Sequence, residues 1–165
     1  MSKNSEIAKL PENATLLVRG HVFDDFEVGR VFEHKQRKTV LDSENALFTT
    51  LTLHYNPTYL DREHARSSGY RDLVVNPLLV FNLVFGLSVE DLSEGGGPFL
   101  GIDSMVYGEP VYAGDTLRAR SKVVSARLSK KHERYGIVTW ETKGFNQRDE
   151  KVISYSRSNL VRRAR

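Results

Sequence analysis

Apolar residues crowd into one stretch, Asp72 to Ser88, and alternate with polar ones over much of the chain beyond it. From Leu78 to Leu87 only Asn82 is polar and only Gly86 is small, so apolar character runs round the whole circumference of a helix instead of keeping to one stripe. Such a helix must be buried on nearly all sides. Its start is marked twice: Asn76 can accept a hydrogen bond from an orphan amide as N-cap, and Pro77 at the first helical position has no amide to leave unpaired. The run falls short of the roughly 20 apolar residues that cross a bilayer. It predicts a core helix that the rest of the fold must wrap.

After this helix the pattern switches to period two, in Leu117, Ala119, Ser121 and Val123 and again in Val138, Trp140 and Thr142. Strands are predicted over about Phe99 to Tyr107, Thr116 to Leu128, Tyr135 to Phe145 and Lys151 to Arg162. Turn signals at Gly108-Glu109-Pro110, Ala113-Gly114-Asp115, Lys130-Lys131-His132 and Asn146 to Asp149 separate them. Strands longer than the usual 5 to 6 residues, set in one antiparallel sheet, must twist and curl. A curled sheet around an all-apolar helix, an α+β fold, satisfies both patterns.

Ahead of the core helix the pattern is more broken. Residues 1–13 are polar and predict a mobile arm, and Leu16-Leu17-Val18 is a short apolar run. Phe23 to Arg30 reads as a loop with aromatic anchors and a turn at Gly29, followed by a strand from about Val31 to Val40. Asp42 predicts an N-cap for a helix over Ser43 to about Leu53, with Leu47, Phe48 and Leu51 on one face; Thr49, Thr50 and Thr52 weaken it. His54-Tyr55-Asn56-Pro57 breaks that helix, because the residue before a proline is pushed out of the α region. Asp61 can cap a short helix that stops near Gly69, and Glu94-Gly95-Gly96-Gly97-Pro98 forms a flexible crossover.

Composition narrows the class. A length of 165 residues without repeat or linker suits one domain spanning 1–165 with a real core. A net charge of +3 is well short of the dense Lys/Arg face of a nucleic-acid binder. There is no cysteine, which removes disulfides, thiolate nucleophiles and thiolate metal ligands. The polar start Met1 to Glu6 lacks a signal peptide's apolar core, so a cytoplasmic protein without a membrane segment is expected. His21, His34, His64 and His132 show no paired ligand spacing, and no metal is expected.

Three segments then carry a resemblance. Phe26-Glu27-Val28-Gly29-Arg30 looks like the opening segment of the MaoC-like dehydratases, the (R)-specific enoyl-CoA hydratase group; His54-Tyr55-Asn56-Pro57-Thr58-Tyr59 is similar to their Asp-x-Asn-Pro-x-His active-site motif; Glu109 to Leu117 resembles their Pro-Val-x-x-Gly-Asp-Thr-Leu turn. The turn is shared by several related families and fixes the fold better than the activity. Order and spacing together make the resemblance specific, and it covers about Phe26 to Val161. It implies the hot-dog fold, a curled antiparallel sheet around one long buried helix. It also implies hydration or dehydration of the α,β bond of an acyl-CoA without redox or metal cofactor, and a homodimer or higher homo-oligomer whose sheets join.

The chain departs from the motif where chemistry is done. His54 stands where most members have the catalytic aspartate and Tyr59 where they have the catalytic histidine; Asn56 and Pro57 match. At the helix start the family's His-Gly-Met becomes Asn76-Pro77-Leu78, and proline cannot donate the glycine's amide bond to the thioester oxygen. Similar substitutions belong to a branch associated with five-carbon branched or dicarboxylic thioesters such as itaconyl-, mesaconyl- or methylmalyl-CoA, and the resemblance implies that class.

Imidazole, with an ordinary pKa near 6.5, makes His54 the expected proton-transfer group. Tyr59 is expected as a hydrogen-bond donor or weak acid, and Asn56 to orient water or the imidazole ring. The Leu78 amide and the Asn76 side chain are expected to bind the thioester oxygen, helped by the helix dipole. Arg71 is expected to pair with a substrate carboxylate, where its fork geometry outdoes lysine. The bland alternatives are a plain turn at Asn56-Pro57, a mere cap at Asn76 and solvated charges at Lys130, Lys131, Arg162, Arg163 and Arg165. A non-catalytic acyl-thioester binding protein fits the altered catalytic pair. A hot-dog thioesterase fits less well, because no acid lies between Pro77 and Ser88.

Overall fold

Strands β1 (Val31–Glu33), β2 (Lys38–Thr39), β3 (Phe99–Tyr107), β4 (Thr116–Leu128), β5 (Tyr135–Phe145) and β6 (Lys151–Arg162) pair antiparallel throughout, in the order β1-β4-β5-β6-β3, with β2 also on β4. The structure, a computed structural model, describes residues 20–164; the arm expected over 1–13 and the apolar run Leu16-Leu17-Val18 lie outside the described residues. The four long strands stand where period two places them. Alternation is strict on the inner face, with Leu117, Ala119, Ser121 and Val123 of β4 and Val138, Trp140 and Thr142 of β5 all buried. Register shifts between Val123 and Ser125 and between Asp103 and Val106 help the sheet to curl.

Helix α4 (Pro77–Leu87) lies against the inner face. Asn76 caps it as expected, its Oδ1 accepting from the Leu78 amide at 3.0 Å. Leu79, Val80, Val84 and Leu87 pack with Val40, Val111, Leu117, Val152, Ile153 and Tyr155. Gly144 lets helix and sheet approach, since a Cβ there would sit 2.6 Å from a Val84 methyl. Enclosure is not complete, however. Leu78, Asn82 and Gly86, spaced by four, form a stripe that the described chain leaves exposed.

A second cluster gathers Phe26, Phe32, Leu92, Val123, Val138 and Val161 around Trp140, with Phe26 edge-on to the indole at 5.1 Å. Beside it Arg157 is wholly buried, its guanidinium 4.2 Å from the Phe85 ring centroid. Burial pulls its pKa down to about 10.

Four local expectations change. The strand expected over Val31 to Val40 is two short pieces, because the chain leaves the ladder after His34. His34 turns inward to Asp91 (2.6 Å) and Ser121 (2.8 Å), and Gln36 reaches Glu90. Helix α1 (Asp42–Leu51) is capped not by Asp42, its first residue, but by Glu44, whose carboxylate accepts from the Leu41 amide at 2.9 Å. Its fully buried residues are Asn45 and Thr49, and Phe48 packs half-buried against the core as expected, while Leu47 and Leu51 are 62% and 73% exposed. Two short helices are unexpected: α2 (Pro57–Leu60), which opens on the same Asn-Pro start as the core helix, and α5 (Val89–Leu92). Helix α3 (Arg62–Ser67) is the one expected, capped by Asp61 and left through Gly69 at φ 92°.

Candidate active site

The site begins where α1 ends. Leu53 takes a left-handed φ of 56°, a strained value for a bulky side chain. The His54 amide turns back to the Thr49 carbonyl at 3.0 Å. The next four residues are held by Asn56, whose Oδ1 accepts from the Thr58 amide at 3.0 Å while Pro57 opens α2. This sharp exit brings the His54 ring to the start of α4, 22 residues further along the chain, where its Nδ1 lies 3.2 Å from Asn76 Nδ2.

Asn76 is the centre of that contact and is fully buried. Its backbone amide donates to Asn45 Oδ1 at 2.8 Å, and its Nδ2 also donates to Thr49 Oγ1 at 3.2 Å. Asn45 Nδ2 in turn faces the Tyr59 and Val74 carbonyls at 3.2 and 3.3 Å. The inward polar face of α1 therefore exists to hold Asn76, and a buried amide of this kind must have its partners. The Leu78 amide and the Asn76 side chain, both expected to bind a thioester oxygen, are bonded to each other here.

Tyr59 sits edge-on to His54, with ring centroids 5.3 Å apart. It lines a cleft of about 270 Å³ together with Asn56, Pro77, Tyr70, Tyr107 and Glu109. Burial, and secondarily the neighbouring Tyr70, raise the Tyr59 pKa. Burial and Tyr59 do the same for Tyr107. Both phenols therefore remain protonated donors at neutral pH. Gly108 closes one wall: a Cβ there would meet the Lys151 carbonyl oxygen at 2.1 Å.

Arg71 is not among the lining residues; it lies 4.1 Å over the Tyr112 ring with Nη2 3.4 Å from Asp115 Oδ1, and is half exposed. Sequence patterns miss Tyr70, Tyr107 and Glu109, which come from a loop and from the end of β3. Only the closeness of Glu109 to a turn motif points there. A larger, charged groove of about 530 Å³ between Glu133-Arg134 and Arg162 to Ala164 lies at the opposite end of β6 from Val152 and shares no residue with this cleft. Among the described residues no group of three or more His, Cys, Asp or Glu could hold a metal, and no helix is long and apolar enough to cross a membrane.

The family model for mesaconyl-CoA hydratase matches residues 3–165. The chain belongs to the mesaconyl-CoA hydratase family. It is 34% identical over 164 residues to a mesaconyl-CoA hydratase of Haloarcula hispanica, covering 99% of this chain and 46% of that protein. To the β-methylmalyl-CoA dehydratase of Chloroflexus aurantiacus it is 35% identical over 144 residues, covering 87% and 41%. A solved MaoC domain protein dehydratase from Chloroflexus aurantiacus superposes with a TM-score of 0.84 at 34% identity, over 88% of this chain and 41% of that one. The chain thus spans about half the length of the curated relatives it matches. The MaoC-like resemblance and the hot-dog architecture hold, and the relatives it meets carry the names mesaconyl-CoA hydratase and β-methylmalyl-CoA dehydratase. Within the mesaconyl-CoA hydratase family, then, His54 and Asn76 are the polar pair that this chain brings to the head of the central helix.

Proposed function

We propose that the chain adds water across, or removes it to form, the α,β double bond of a dicarboxylic five-carbon acyl-CoA, mesaconyl-CoA being the first choice and itaconyl- and methylmalyl-CoA the next. The observation that carries this reading is the seating of His54 on the buried Asn76 at the head of α4, beside a cleft lined by Tyr59. Asn56 uses its Oδ1 as a cap and keeps Nδ2 to orient a water. Tyr59, held protonated by burial, donates a hydrogen bond. Glu109 is the carboxylate among the lining residues; it takes the proton from water as the oxygen bonds to the β carbon and returns it to the α carbon of the resulting enolate. Pro77 places the positive end of the α4 dipole at the cleft, which favours charge on the thioester oxygen even though the Leu78 amide is engaged. The reaction is redox-neutral and calls on no cofactor beyond the CoA of the substrate.

The test is product analysis on a panel of enoyl- and hydroxyacyl-CoA thioesters. Loss of enoyl-thioester absorbance with a mass gain of one water supports the reading. Free thiol release would make the protein a thioesterase, and binding without turnover a thioester carrier.

Arg71 is assigned to the free carboxylate of the substrate. Asp115 is already satisfied by Gln147 at 2.8 Å and the Tyr112 amide at 2.9 Å, so Arg71 can leave it at little cost, and Tyr70 beside it lines the cleft. Arg71→Ala is expected to raise KM about tenfold or more on a dicarboxylic substrate, a charge-assisted bond being worth about 1.5–3 kcal/mol, and to leave a monocarboxylic one unchanged. An equal loss on both removes the assignment.

A homo-oligomer is part of the same reading. Leu47, Leu51 and Leu53 of the α1 region and Phe99, Leu100 and Val106 of β3 are exposed, and among the described residues β3 is an edge strand of the sheet. Exposed apolar area and an open edge both favour pairing with a second hot-dog unit.

A further inference from the structure

The hydrogen-bond directions around Asn76 determine more than its own placement. Its backbone amide and both amide hydrogens have acceptors, and the orientation of the side chain is not free. The Leu78 N–H can only donate, so the atom 3.0 Å from it is Oδ1. The other end of the amide is then Nδ2, which donates to Thr49 Oγ1 and points its second hydrogen at His54 Nδ1, each at 3.2 Å. Asn45 fixes the same frame from behind, its Oδ1 accepting from the Asn76 amide and its Nδ2 facing two carbonyls. A ring nitrogen that faces a donor must offer a lone pair. The neutral imidazole of His54 therefore carries its proton on Nε2, which has no hydrogen-bond partner among the described residues.

From this geometry we infer that Asn76 is a positioning residue that holds His54 in the Nε2–H tautomer, and that His54 serves the reaction as a neutral hydrogen-bond donor to the thioester oxygen, not as the base. The inference rests on the hydratase reading. A neutral imidazole that gave up its Nε2 proton would be left as an anion, so the proton stays on the ring. What His54 supplies is a donor fixed in place before the substrate arrives. The arrangement also accounts for the sequence at the helix head. Pro77 has no amide, and Asn76 Oδ1 occupies the amide of Leu78, so the backbone offers no donor there. Asn76 thereby exchanges a backbone N–H for the N–H of an imidazole that packs edge-on against Tyr59, which lines the cleft. His54 reaches the reacting group; Asn76 acts through it.

Two measurements test this. In the first, ¹⁵N-labelled protein is examined by histidine-selective NMR above pH 7, where the wild-type His54 ring is expected to show an unprotonated Nδ1 and a protonated Nε2. Asn76→Asp replaces the facing donor with an acceptor and is expected to move the proton to Nδ1, while a merely structural role for Asn76 would leave the tautomer unchanged. A protonated Nδ1 in the wild type overturns the inference. In the second, His54→Gln keeps an acceptor towards Asn76 and an N–H beyond it but cannot shuttle protons. On mesaconyl-CoA it is expected to stay within about tenfold of wild type, whereas a variant without any donor loses about 10² or more. A glutamine variant as inactive as the alanine one, with wild-type melting, overturns the donor role. Absence of turnover in the wild type on every thioester would remove the hydratase reading and with it the role of His54, while the NMR result would still decide whether Asn76 sets the tautomer.

Discussion

His54→Ala is expected to lower kcat/KM on mesaconyl-CoA by about 10²–10³, the cost of removing one donor aimed at a developing oxyanion, with little change in stability. The two effects separate because of how the ring is held. His54 is half-buried, touches Tyr59 edge-on and shares only one of the two hydrogens on Asn76 Nδ2. Removing it leaves the bonds from Asn76 to Thr49, Leu78 and Asn45 in place. The loss is one neutral hydrogen bond, about 1 kcal/mol, or roughly 2–4 °C in Tm for a chain of this size. Asn76→Ala differs in kind: it strips the cap of α4 and takes from the buried Thr49 hydroxyl the bond from Asn76 Nδ2, so activity and stability fall together. Kinetics and melting curves of the two variants side by side check this. If His54→Ala retains wild-type kcat/KM, the site assignment is wrong.

The start of α4 is legible in the sequence because capping is local: an asparagine followed by a proline before a long apolar run leaves few alternatives. The long strands are legible for the same reason, since period two is written in consecutive residues. The orientation of α1 is not. Hydrophobicity puts Leu47 and Leu51 inside, but the position is decided by Asn45 and Thr49, which have a buried amide to satisfy 31 and 27 residues further along the chain. No local pattern announces that need. Family resemblance brings His54, Asn56 and Tyr59 to attention without saying what His54 faces, and its 3.2 Å contact with Asn76 Nδ2 exists only in the folded chain. Tyr70, Tyr107 and Glu109 are illegible because a loop after α3 and the end of β3 meet only in the folded sheet.

The turn Ala113-Gly114-Asp115 should prove the acid-sensitive element of the fold. Asp115 is 2% exposed, and its carboxylate accepts from Gln147 Nε2 at 2.8 Å, the Tyr112 amide at 2.9 Å and Arg148 Nη1 at 3.2 Å. Its backbone is tied to Val40, with the Val40 amide donating to the Asp115 carbonyl at 2.9 Å and the Gly114 amide to the Val40 carbonyl at 2.8 Å. Gly114, at φ 89°, makes the turn that permits this. The turn also holds Val111, whose carbonyl accepts from the Val75 amide next to Asn76, so the cleft and the helix cap lean on it. Burial alone would push the Asp115 pKa up, but the bonds from Gln147, the Tyr112 amide and Arg148 outweigh it and hold the carboxyl below its ordinary value. A carboxyl lowered in the folded state contributes stability that is fully present above the unfolded pKa of about 3.9 and is lost as pH falls through the folded one. Asp115→Ala removes two to three bonds to a buried anion and is expected to cost about 3–5 kcal/mol, bonds to charged groups being worth about 1.5–3 kcal/mol each. That corresponds to a Tm lower by roughly 6–20 °C. Melting curves between about pH 3 and 7 should show the gap between wild type and variant widest at neutral pH and narrowing below about pH 4. A gap that stays constant down to the lowest pH would mean that the side chain acts there by shape and not by charge.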